Sequence, residues 1–461
     1  MRMLLIDRNE RTPVRRQIYE QMKTQILCGE LRGAEALPST RQLADDLGIS
    51  RSTVVEAYDM LLSEGFLLSR QGAPTVVAPG LVMERSPKPP AERSRETTAV
   101  RANFQTGRPD LLNFPRRQWG KAFSSAALEL PARQYGYTGP QGYEPLRREI
   151  SEWLLRSRGF LADAEDVFIT AGATHALRIL ADLFCAGGGS MLMEDPCHKG
   201  LYDTLRVGGC RIVPVAADDH GMQTDRLPQI GGVDAVYVTP SHQFPMGGIL
   251  PAGRRAALIR FARERNIYII EDDYDSEFRF AGEPVAPLCA MDPQRVVYVG
   301  TFSKTLFPAL RIGYVVLPKN LQARWRDLRT HHDIQNPPFE QAALAEFMKE
   351  RKLDRHIRAM KKRYAVRREA LMDALAASFG DTWRACGDAA GLHVAIHFSD
   401  RTFDEAFERR CVQSGVRAAL LEEHCIVKGA HRSELVLGYG HLEPDRIRDG
   451  VLLLAEVMGT C

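Results

Sequence analysis

The sequence predicts a multidomain protein, in which a small, mainly helical N-terminal domain is joined by a linker to a large α/β domain that ends in a small α+β subdomain. At 461 residues the chain is too long for one hydrophobic core. Apolar residues recur at helical spacing near the N-terminus, whereas later apolar runs of strand length alternate with helical patterns. We expect domains at residues 1–78 and 103–461, with the linker at residues 79–102.

The composition argues against several classes of protein. The chain has 61 basic and 58 acidic residues, so any contact with nucleic acid must come from a local surface. Its nine cysteines are scattered, which indicates reduced thiols rather than a disulfide framework or a zinc site. No stretch approaches the roughly 18 apolar residues that a membrane helix needs. We therefore expect a cytoplasmic protein with no metal site and no membrane contact.

Three helices and a β hairpin are predicted within residues 1–78. Apolar residues from Val14 to Ile26 repeat every four positions, as on one face of a helix. A second helix begins near Thr40, and Ser50 has the character of an N-cap for a third helix that ends at Gly65. The segment after it is rich in turn residues and is consistent with a β wing. This is the plan of a winged helix-turn-helix domain, which reads DNA in the major groove.

The residues expected to contact DNA lie at the starts of the second and third helices. Arginine can bind phosphate or a guanine edge, and hydroxyl groups suit phosphate oxygens. The alternative is that the two arginines are ordinary solvated surface residues. The candidates are Arg41, Ser50, Arg51, Ser52 and Thr53.

The linker and the larger domain are distinguished by composition. Residues 79–102 mix prolines and arginines with few apolar side chains. Beyond them, residues 167–170, 235–238, 267–270 and 296–299 are near-continuous apolar runs, as in a buried parallel sheet. After about residue 335, amphipathic helices and a few strands predict the smaller subdomain.

Three residues of the α/β domain fit the needs of pyridoxal phosphate (PLP). That cofactor needs a lysine amine for covalent attachment, a carboxylate that keeps its pyridine nitrogen protonated, and donors for its phosphate. Lys304 follows a strand and can supply the amine. Asp272, at the end of the preceding strand, suits the pyridine nitrogen, and Arg311 can bind phosphate with two parallel hydrogen bonds.

Further candidates complete this set. Tyr274 suits the phenolic oxygen of the cofactor, and Thr301 is a hydroxyl donor. Gly172 and Ala173 lie in a small-residue turn between a strand and a helix, which is a natural phosphate site. Each residue alone is a weak indication, but their order along the chain is specific.

Longer motifs resemble a known family. The segment Leu37-Pro38-Ser39-Thr40-Arg41-Gln42-Leu43-Ala44 and its continuation through Tyr58 are similar to the signature of GntR regulators. The part from residue 103 onward resembles a fold-type I aminotransferase. The whole chain resembles the MocR/GabR subfamily, whose aminotransferase-like domain serves as an effector sensor. The segments Glu271-Asp272-Asp273-Tyr274 and Gly300-Thr301-Phe302-Ser303-Lys304 carry this likeness.

The resemblance implies more residues and partners. It implies that Tyr137 reaches the phosphate of a neighbouring subunit, that His198 covers the cofactor ring, and that Gln243 belongs to the cofactor site. It also implies a homodimer that binds operator DNA and a small effector, which could be an amine, an amino acid or PLP. One departure concerns Val436, which stands where aminotransferases have a substrate-carboxylate arginine, with Arg432 the nearest arginine.

The sequence therefore favours a PLP-dependent transcriptional regulator over an enzyme. Two alternatives remain open. The protein could be an active aminotransferase with a vestigial DNA module, which the intact Lys304 set allows and Val436 opposes. It could instead sense PLP itself and control vitamin B6 synthesis.

Overall fold

The computed structural model describes residues 4–8, 10–81, 100–229, 231–280, 282–283, 285–387 and 389–459. The chain divides into two compact units, Met1–Arg95 and Glu96–Cys461. Most of the expected linker, residues 82–99, lies outside the described residues. Ala102, the last residue of the expected linker, lies in a strand of the second unit.

The first unit has the three helices and the hairpin that the sequence predicts. Its elements are α1 (Val14–Leu27), α2 (Thr40–Leu47), α3 (Arg51–Ser63), β1 (Leu67–Leu68) and β2 (Val76–Val77). Ser39 and Ser50 cap α2 and α3 by accepting hydrogen bonds from Gln42 N and Thr53 N. β1 and β2 pair in antiparallel fashion as the wing. Apolar side chains from all three helices form one core.

The second unit is built around a large sheet and a smaller one. Its helices are α4 (Arg116–Glu129), α5 (Glu144–Arg158), α6 (Ala173–Cys185), α7 (Lys199–Val207), α8 (Ala252–Arg265), α9 (Leu288–Met291), α10 (Gln322–His332), α11 (Pro338–Lys349), α12 (Lys352–Phe379), α13 (Glu405–Gln413) and α14 (Pro444–Met458). Its strands are β3 (Ala102–Asn103), β4 (Val167–Thr170), β5 (Ser190–Asp195), β6 (Arg211–Asp218), β7 (Gly221–Met222), β8 (Ala235–Val238), β9 (Tyr268–Asp273), β10 (Val296–Thr301), β11 (Gly313–Val316), β12 (Trp383–Cys386), β13 (His393–Phe398), β14 (Val416–Arg417), β15 (Ala419–Leu420) and β16 (Glu434–Gly438).

The large sheet is mixed rather than wholly parallel. Its order is β4-β11-β10-β9-β8-β5-β6-β7. The five strands from β10 to β6 are parallel, whereas β11 is antiparallel to both β10 and β4, and β7 is antiparallel to β6. Residues 302–312, between β10 and β11, include no α-helix that could carry the chain back for a parallel pairing. That short connection contains Lys304.

Burial on both faces explains the near-continuous apolar strands. In β9, Ile269 packs into the core on one face and Ile270 into the core on the other. Val296 and Val297 of β10 divide in the same way. When a sheet is covered on both sides, both faces of each strand are apolar, so polar and apolar residues do not alternate along it.

The subdomain has the α+β character that the sequence predicts. Its antiparallel sheet has the order β12-β13-β16-β15 and packs against α12, α13 and α14. β3 pairs in parallel with β14, so the start of the second unit is tied to this subdomain. Among the described residues, none of the helices is both long and apolar enough to cross a bilayer.

Candidate functional site

A pocket of about 260 Å³ lies where the strands of the large sheet end. His198, Thr239, Tyr274 and Lys304 follow β5, β8, β9 and β10, and all four line this pocket. His393, from β13 of the subdomain, also lines it. Ligands of α/β sheets bind at the carboxyl ends of the strands, so this is the expected place for a functional site.

Lys304 lies on the pocket wall with its amine held in place. Its Nζ donates a hydrogen bond to Gly107 O at 2.8 Å. Desolvation lowers the pKa of this amine, while the charges of Asp275 and Asp272 act in the opposite direction. A lysine with a lowered pKa has a larger neutral fraction, which is the form that attacks a carbonyl carbon.

Only one oxygen of the Asp272 carboxylate has a hydrogen-bond partner among the described residues. The side chain is buried, and Oδ2 accepts a hydrogen bond from the Tyr237 hydroxyl at 2.7 Å. Oδ1 has no hydrogen-bond partner among the described residues. Burial raises the pKa of Asp272 to about 7. A positively charged ring nitrogen would satisfy the free oxygen and restore the ionised form, so Asp272 fits the pyridine end of PLP.

A phosphate cradle lies at the start of α6. Gly172 has a φ of 84° and stands just before the helix. A Cβ at that position would lie 3.1 Å from the guanidinium nitrogens of Arg311. Arg311 donates to Ala171 O at 2.5 Å and lines the pocket, as do Ala173 and Thr301. A glycine turn, a helix N-terminus and an arginine together suit a bound phosphate.

Tyr274 is part of a buried hydrogen-bonded cluster. Its hydroxyl lies 2.9 Å from His242 Nδ1, which also lies 2.8 Å from Asp275 Oδ1. Burial raises the pKa of Tyr274 well above its ordinary value, so the hydroxyl stays protonated and can donate. Ring nitrogens of His242 and His393 and a carboxylate oxygen of Asp275 lie within 4.8 Å of one another, and the hydrogen bond between His242 and Asp275 brings these two together.

His198 lines the pocket at the start of α7. Its ring centroid lies 5.0 Å from that of Phe244. Desolvation, and after it the positive charge of Lys304, lower the pKa of His198 to about 4. A neutral, flat imidazole is therefore available near Lys304, where the resemblance places a residue over the cofactor ring.

Three expected residues do not line the pocket: Gly172, which directly precedes the lining residue Ala173, and also Gln243 and Tyr137. The Gln243 amide donates to the carbonyls of Pro196 and Phe244 and accepts from Met246 N, so it holds the surrounding loops. Tyr137 is 86% exposed and stands apart from the pocket of its own chain.

Several pocket residues were missed by the sequence interpretation. Glu194 is buried, and burial raises its pKa to about 7. Phe244 and Tyr237 also line the pocket. A polar aromatic in the otherwise aliphatic strand β8 was the available signal for Tyr237.

His393 and His397 lie on the same strand but have different surroundings. His393 lines the pocket, and its Nε2 lies 3.2 Å from Pro245 O. His397 instead contacts Glu434 at 3.0 Å. Only the subdomain's placement against the large sheet distinguishes them.

Val436 is a core residue rather than a pocket residue. It is buried in β16 and packs against Met246, Ala395 and Leu421. Arg432 is exposed and does not line the pocket. Among the described residues, Arg311 is the only arginine on the pocket wall.

The expected DNA-contacting residues lie together at the start of α3 and nearby on α2. Arg41 and Arg51 are exposed and form no ion pair with the described residues of their unit. Ser50 Oγ lies 3.0 Å from Ser52 Oγ and 2.7 Å from Thr53 Oγ1. The hydroxyls therefore form a compact polar tip on the third helix.

Comparison with known proteins matches both units. Residues 14–77 match the bacterial regulatory proteins of the gntR family, and residues 102–448 match the aminotransferase class I and II family. The chain is 32% identical to the probable rhizopine catabolism regulatory protein MocR of Rhizobium meliloti, over 97% of this chain and 94% of that protein. It is 31% identical to the HTH-type pyridoxine biosynthesis transcriptional regulator PdxR of Corynebacterium glutamicum, over 98% and 97%.

Solved structures match the second unit. The multiple substrate aminotransferase of Thermococcus profundus is similar, with a TM-score of 0.72, 26% identity, and coverage of 79% of this chain and 92% of that one. LysN, the α-aminoadipate aminotransferase of Thermus thermophilus, was solved with N-(5'-phosphopyridoxyl)-L-leucine. Its TM-score is 0.71 at 25% identity, with coverage of 78% and 92%. The chain therefore belongs to the MocR-type transcriptional regulators of the gntR family, with an aminotransferase-like domain that binds pyridoxal phosphate.

Proposed function

We propose that this regulator works as a homodimer, in which PLP at Lys304 turns the aminotransferase-like pocket into a sensor for a small amine. The observation that carries this proposal is a pocket wall that combines Lys304 and Asp272 with Arg311, its single arginine among the described residues. Arg311 is taken by the phosphate. The pocket therefore lacks a second guanidinium for the carboxylate of an amino acid.

The residues would share the cofactor as follows. When bound, PLP supplies an aldehyde that condenses with amines and a ring that withdraws electrons. Lys304 holds it covalently, Asp272 keeps the ring nitrogen protonated, and Tyr274 donates to the phenolic oxygen. Gly172, Ala173, Thr301 and Arg311 bind the phosphate, and His198 covers the ring.

The remaining wall favours an effector with hydrogen-bond donors. A carbonyl can only accept, so the hydrogen bond at Pro245 O requires that His393 Nε2 carry the proton. Burial lowers the pKa of His393 well below its ordinary value, which leaves Nδ1 as an acceptor. Glu194 Oε1 has no hydrogen-bond partner among the described residues, and Asp275 adds a second carboxylate. An amine or hydroxyl group suits these acceptors, whereas a carboxylate buried without a partner is strongly disfavoured.

The enzyme hypothesis is the second candidate. The intact set around Lys304 supports it. Val436, in the core at the expected arginine position, and Arg432, exposed away from the pocket, oppose it. In a third hypothesis, PLP occupancy is itself the signal. The pyridoxine biosynthesis regulator among the relatives supports it.

The dimer and the DNA contacts are part of the same proposal. Tyr137 is a large aromatic residue that is 86% exposed, as expected for a side chain that completes a neighbouring subunit's phosphate site. Two DNA-reading units in a symmetric dimer match an operator with two half-sites. Arg41 and Arg51, with Ser50, Ser52 and Thr53, would contact that operator. A regulator that binds chromosomal DNA works in the cytoplasm.

Matched ligand pairs test the effector class. Cofactor-loaded protein is titrated with ethanolamine and serine, cadaverine and lysine, and tyramine and tyrosine, with the cofactor absorbance as readout. We expect at least one amine to change the spectrum at lower concentration than its parent amino acid. Glu194→Gln should weaken that response, and His397→Asn, on the same strand as His393 but outside the pocket, should leave it unchanged. Tighter binding of the amino acids, with multiple rounds of keto-acid formation, would promote the enzyme hypothesis.

A further inference from the structure

A second pocket in the aminotransferase-like unit shares no residue with the cofactor pocket. It has a volume of about 390 Å³ and lies between α5, the segment that follows β9, and α12. Ligand sites for small molecules begin at roughly this size. Its polar lining includes Arg158, Ser276, Glu277, Arg279, Arg358 and Lys361.

The wall of this pocket contains buried donors that are not used. Arg158 is 4% exposed; it donates to Ser241 Oγ at 3.2 Å and pairs with Asp273. Its Nε has no hydrogen-bond partner among the described residues, and the same holds for Arg279 Nε and Ser276 Oγ. Buried polar groups are nearly always hydrogen-bonded. A fourth unpartnered atom on this wall, Asp354 Oδ2, is an acceptor, so donors outnumber acceptors by three to one. Three unused donors, two of them on guanidinium groups, favour a ligand that accepts hydrogen bonds.

The charges around the pocket favour an anion. Four cationic side chains line it, Arg158, Arg279, Arg358 and Lys361, against the acidic Glu277 and Asp354.

The two acids offset little of this positive charge. Burial, and then the charge of nearby Asp273, raise the pKa of Glu277, so this carboxyl carries less negative charge at neutral pH than an exposed glutamate does. Asp354 Oδ2 lines the pocket and lies 3.9 Å from Nη2 of Arg156, a residue that does not line it. Asp273 neutralises Arg158 in part, which leaves the other three cations to attract a ligand.

We propose that this pocket is a second ligand site, which binds a small anion through a phosphate or carboxylate group held by Arg158, Arg279 and Arg358. Guanidinium groups bind both kinds of oxyanion with paired hydrogen bonds. The site stands independently of the effector proposed for the cofactor pocket, because neither its residues nor its ligand chemistry depend on Lys304.

The contacts of Arg158 connect this site to the cofactor pocket. Asp273 directly follows Asp272 in β9, and Ser241 directly precedes His242. An anion at Arg158 competes with Asp273 for the guanidinium. The ligand would therefore act on the segment that holds the pyridine nitrogen and Tyr274.

Calorimetry on the full-length, cofactor-loaded protein tests the site. Cofactor loading occupies Arg311, so titrated anions do not bind there. Inorganic phosphate and succinate are titrated separately at pH 7 and constant ionic strength. We expect saturable binding of one anion per chain, and the tighter probe identifies the ligand as phosphorylated or carboxylic.

Variants decide whether the binding belongs to this pocket. Arg279→Gln and Arg358→Gln should each weaken binding roughly tenfold, as loss of one charge-assisted hydrogen bond does. Arg358 is exposed, so its variant should fold even if Arg279→Gln does not. Arg355→Gln is the matched control, because Arg355 is on the same helix, is exposed and bonds to Glu350 O. The proposal fails if neither probe binds at concentrations on the order of 10 mM, or if the Arg358 and Arg355 variants behave alike.

Discussion

Tyr237 donates a hydrogen bond to Oδ2 of Asp272 at 2.7 Å, while Oδ1 of the same carboxylate has no partner among the described residues. Tyr237 thus fixes the direction of the carboxylate without neutralising it. The protein holds a buried acid ready for a cation that arrives with the cofactor. The buried Asp272 therefore lowers the stability of the cofactor-free protein, whereas in the loaded protein it pairs with the cofactor's ring nitrogen.

Asp272→Asn should stabilise the cofactor-free protein in a pH-dependent way. Burial raises the pKa of Asp272 from 3.8 to about 7. Between these values the folded protein retains a proton that the unfolded chain has lost, so its stability falls as pH rises from about 4 to 7. Asparagine cannot ionise, so the stability gain of the variant should grow across this window by roughly 2–4 kcal/mol.

Denaturant unfolding of both cofactor-free proteins at pH 5 and pH 8 measures this difference. The same variant should bind PLP more weakly, because the amide cannot keep the ring nitrogen protonated. Tyr237→Phe is the milder companion, which removes the orienting hydrogen bond but keeps the charge. A stability difference that is equal at both pH values would contradict the assigned burial of the charge.

Lys304→Ala should abolish covalent attachment of the cofactor. The Lys304 amine lies on the pocket wall, where desolvation lowers its pKa. Borohydride reduction of the wild-type protein should fix PLP on the peptide that contains Lys304, as read by mass spectrometry. Lys199→Ala is the control, since Lys199 lies on α7 and pairs with Asp203 at 3.1 Å. If the Lys304 variant still traps PLP at the wild-type level, the cofactor is attached to another lysine.

The sequence identified several residues that share one pocket, but it did not identify the whole wall of that pocket. Lys304 and Asp272 could be placed together because each lies at or soon after the end of a strand of one sheet, and strand ends converge. Arg311 lies just before β11, whose antiparallel start is at the same edge of the sheet. Glu194, near the end of β5, fits the same rule but was overlooked. His393 could not be placed on the wall from the sequence, because its position depends on packing between distant segments. His393 reaches the pocket only because the subdomain sheet packs beside Phe244 and Pro245.

The sheet itself shows the same limit. Apolar runs predicted β4, β8, β9 and β10, but apolar composition carries no information about strand direction. The antiparallel placement of β11 follows from the short connection after β10, which the sequence pattern left ambiguous. Gln243 belongs to a motif of the family, and its amide donates to the carbonyls of Pro196 and Phe244 and does not line the pocket.

Tyr137 should act in the cofactor site of the partner subunit. We expect Tyr137→Phe to weaken PLP binding, although this side chain lies outside its own pocket. Mixing it with Lys304→Ala gives a sharper test. In a mixed dimer one site carries both changes and the other carries neither, so covalent cofactor loading with wild-type affinity should reappear. If refolded mixtures show only the sum of the two defective proteins, Tyr137 does not act across subunits.

Arg51 should carry part of the DNA affinity. It lies exposed at the start of α3, next to the hydroxyl cluster of Ser50. If Arg51 contacts phosphate, Arg51→Ala should reduce the slope of log affinity against log salt by about one unit. Loss of sequence preference instead would indicate a base contact. Lys23→Gln is the control, because Lys23 pairs with Glu64 at the opposite end of α3. An unchanged slope and preference would refute this placement of the helix.

Ligand binding in the aminotransferase-like unit should be coupled to DNA binding by the N-terminal unit. Linkage requires that the two ligands change each other's affinity by one common factor. The measurement is calorimetric titration of the full-length protein with PLP, and of the loaded protein with the best amine, each with and without a duplex selected from random DNA. We predict that DNA changes the affinity of at least one of these ligands several-fold, and that this ligand changes DNA affinity by the same factor. The coupling is absent if the affinities for PLP and for the amine are the same with and without DNA.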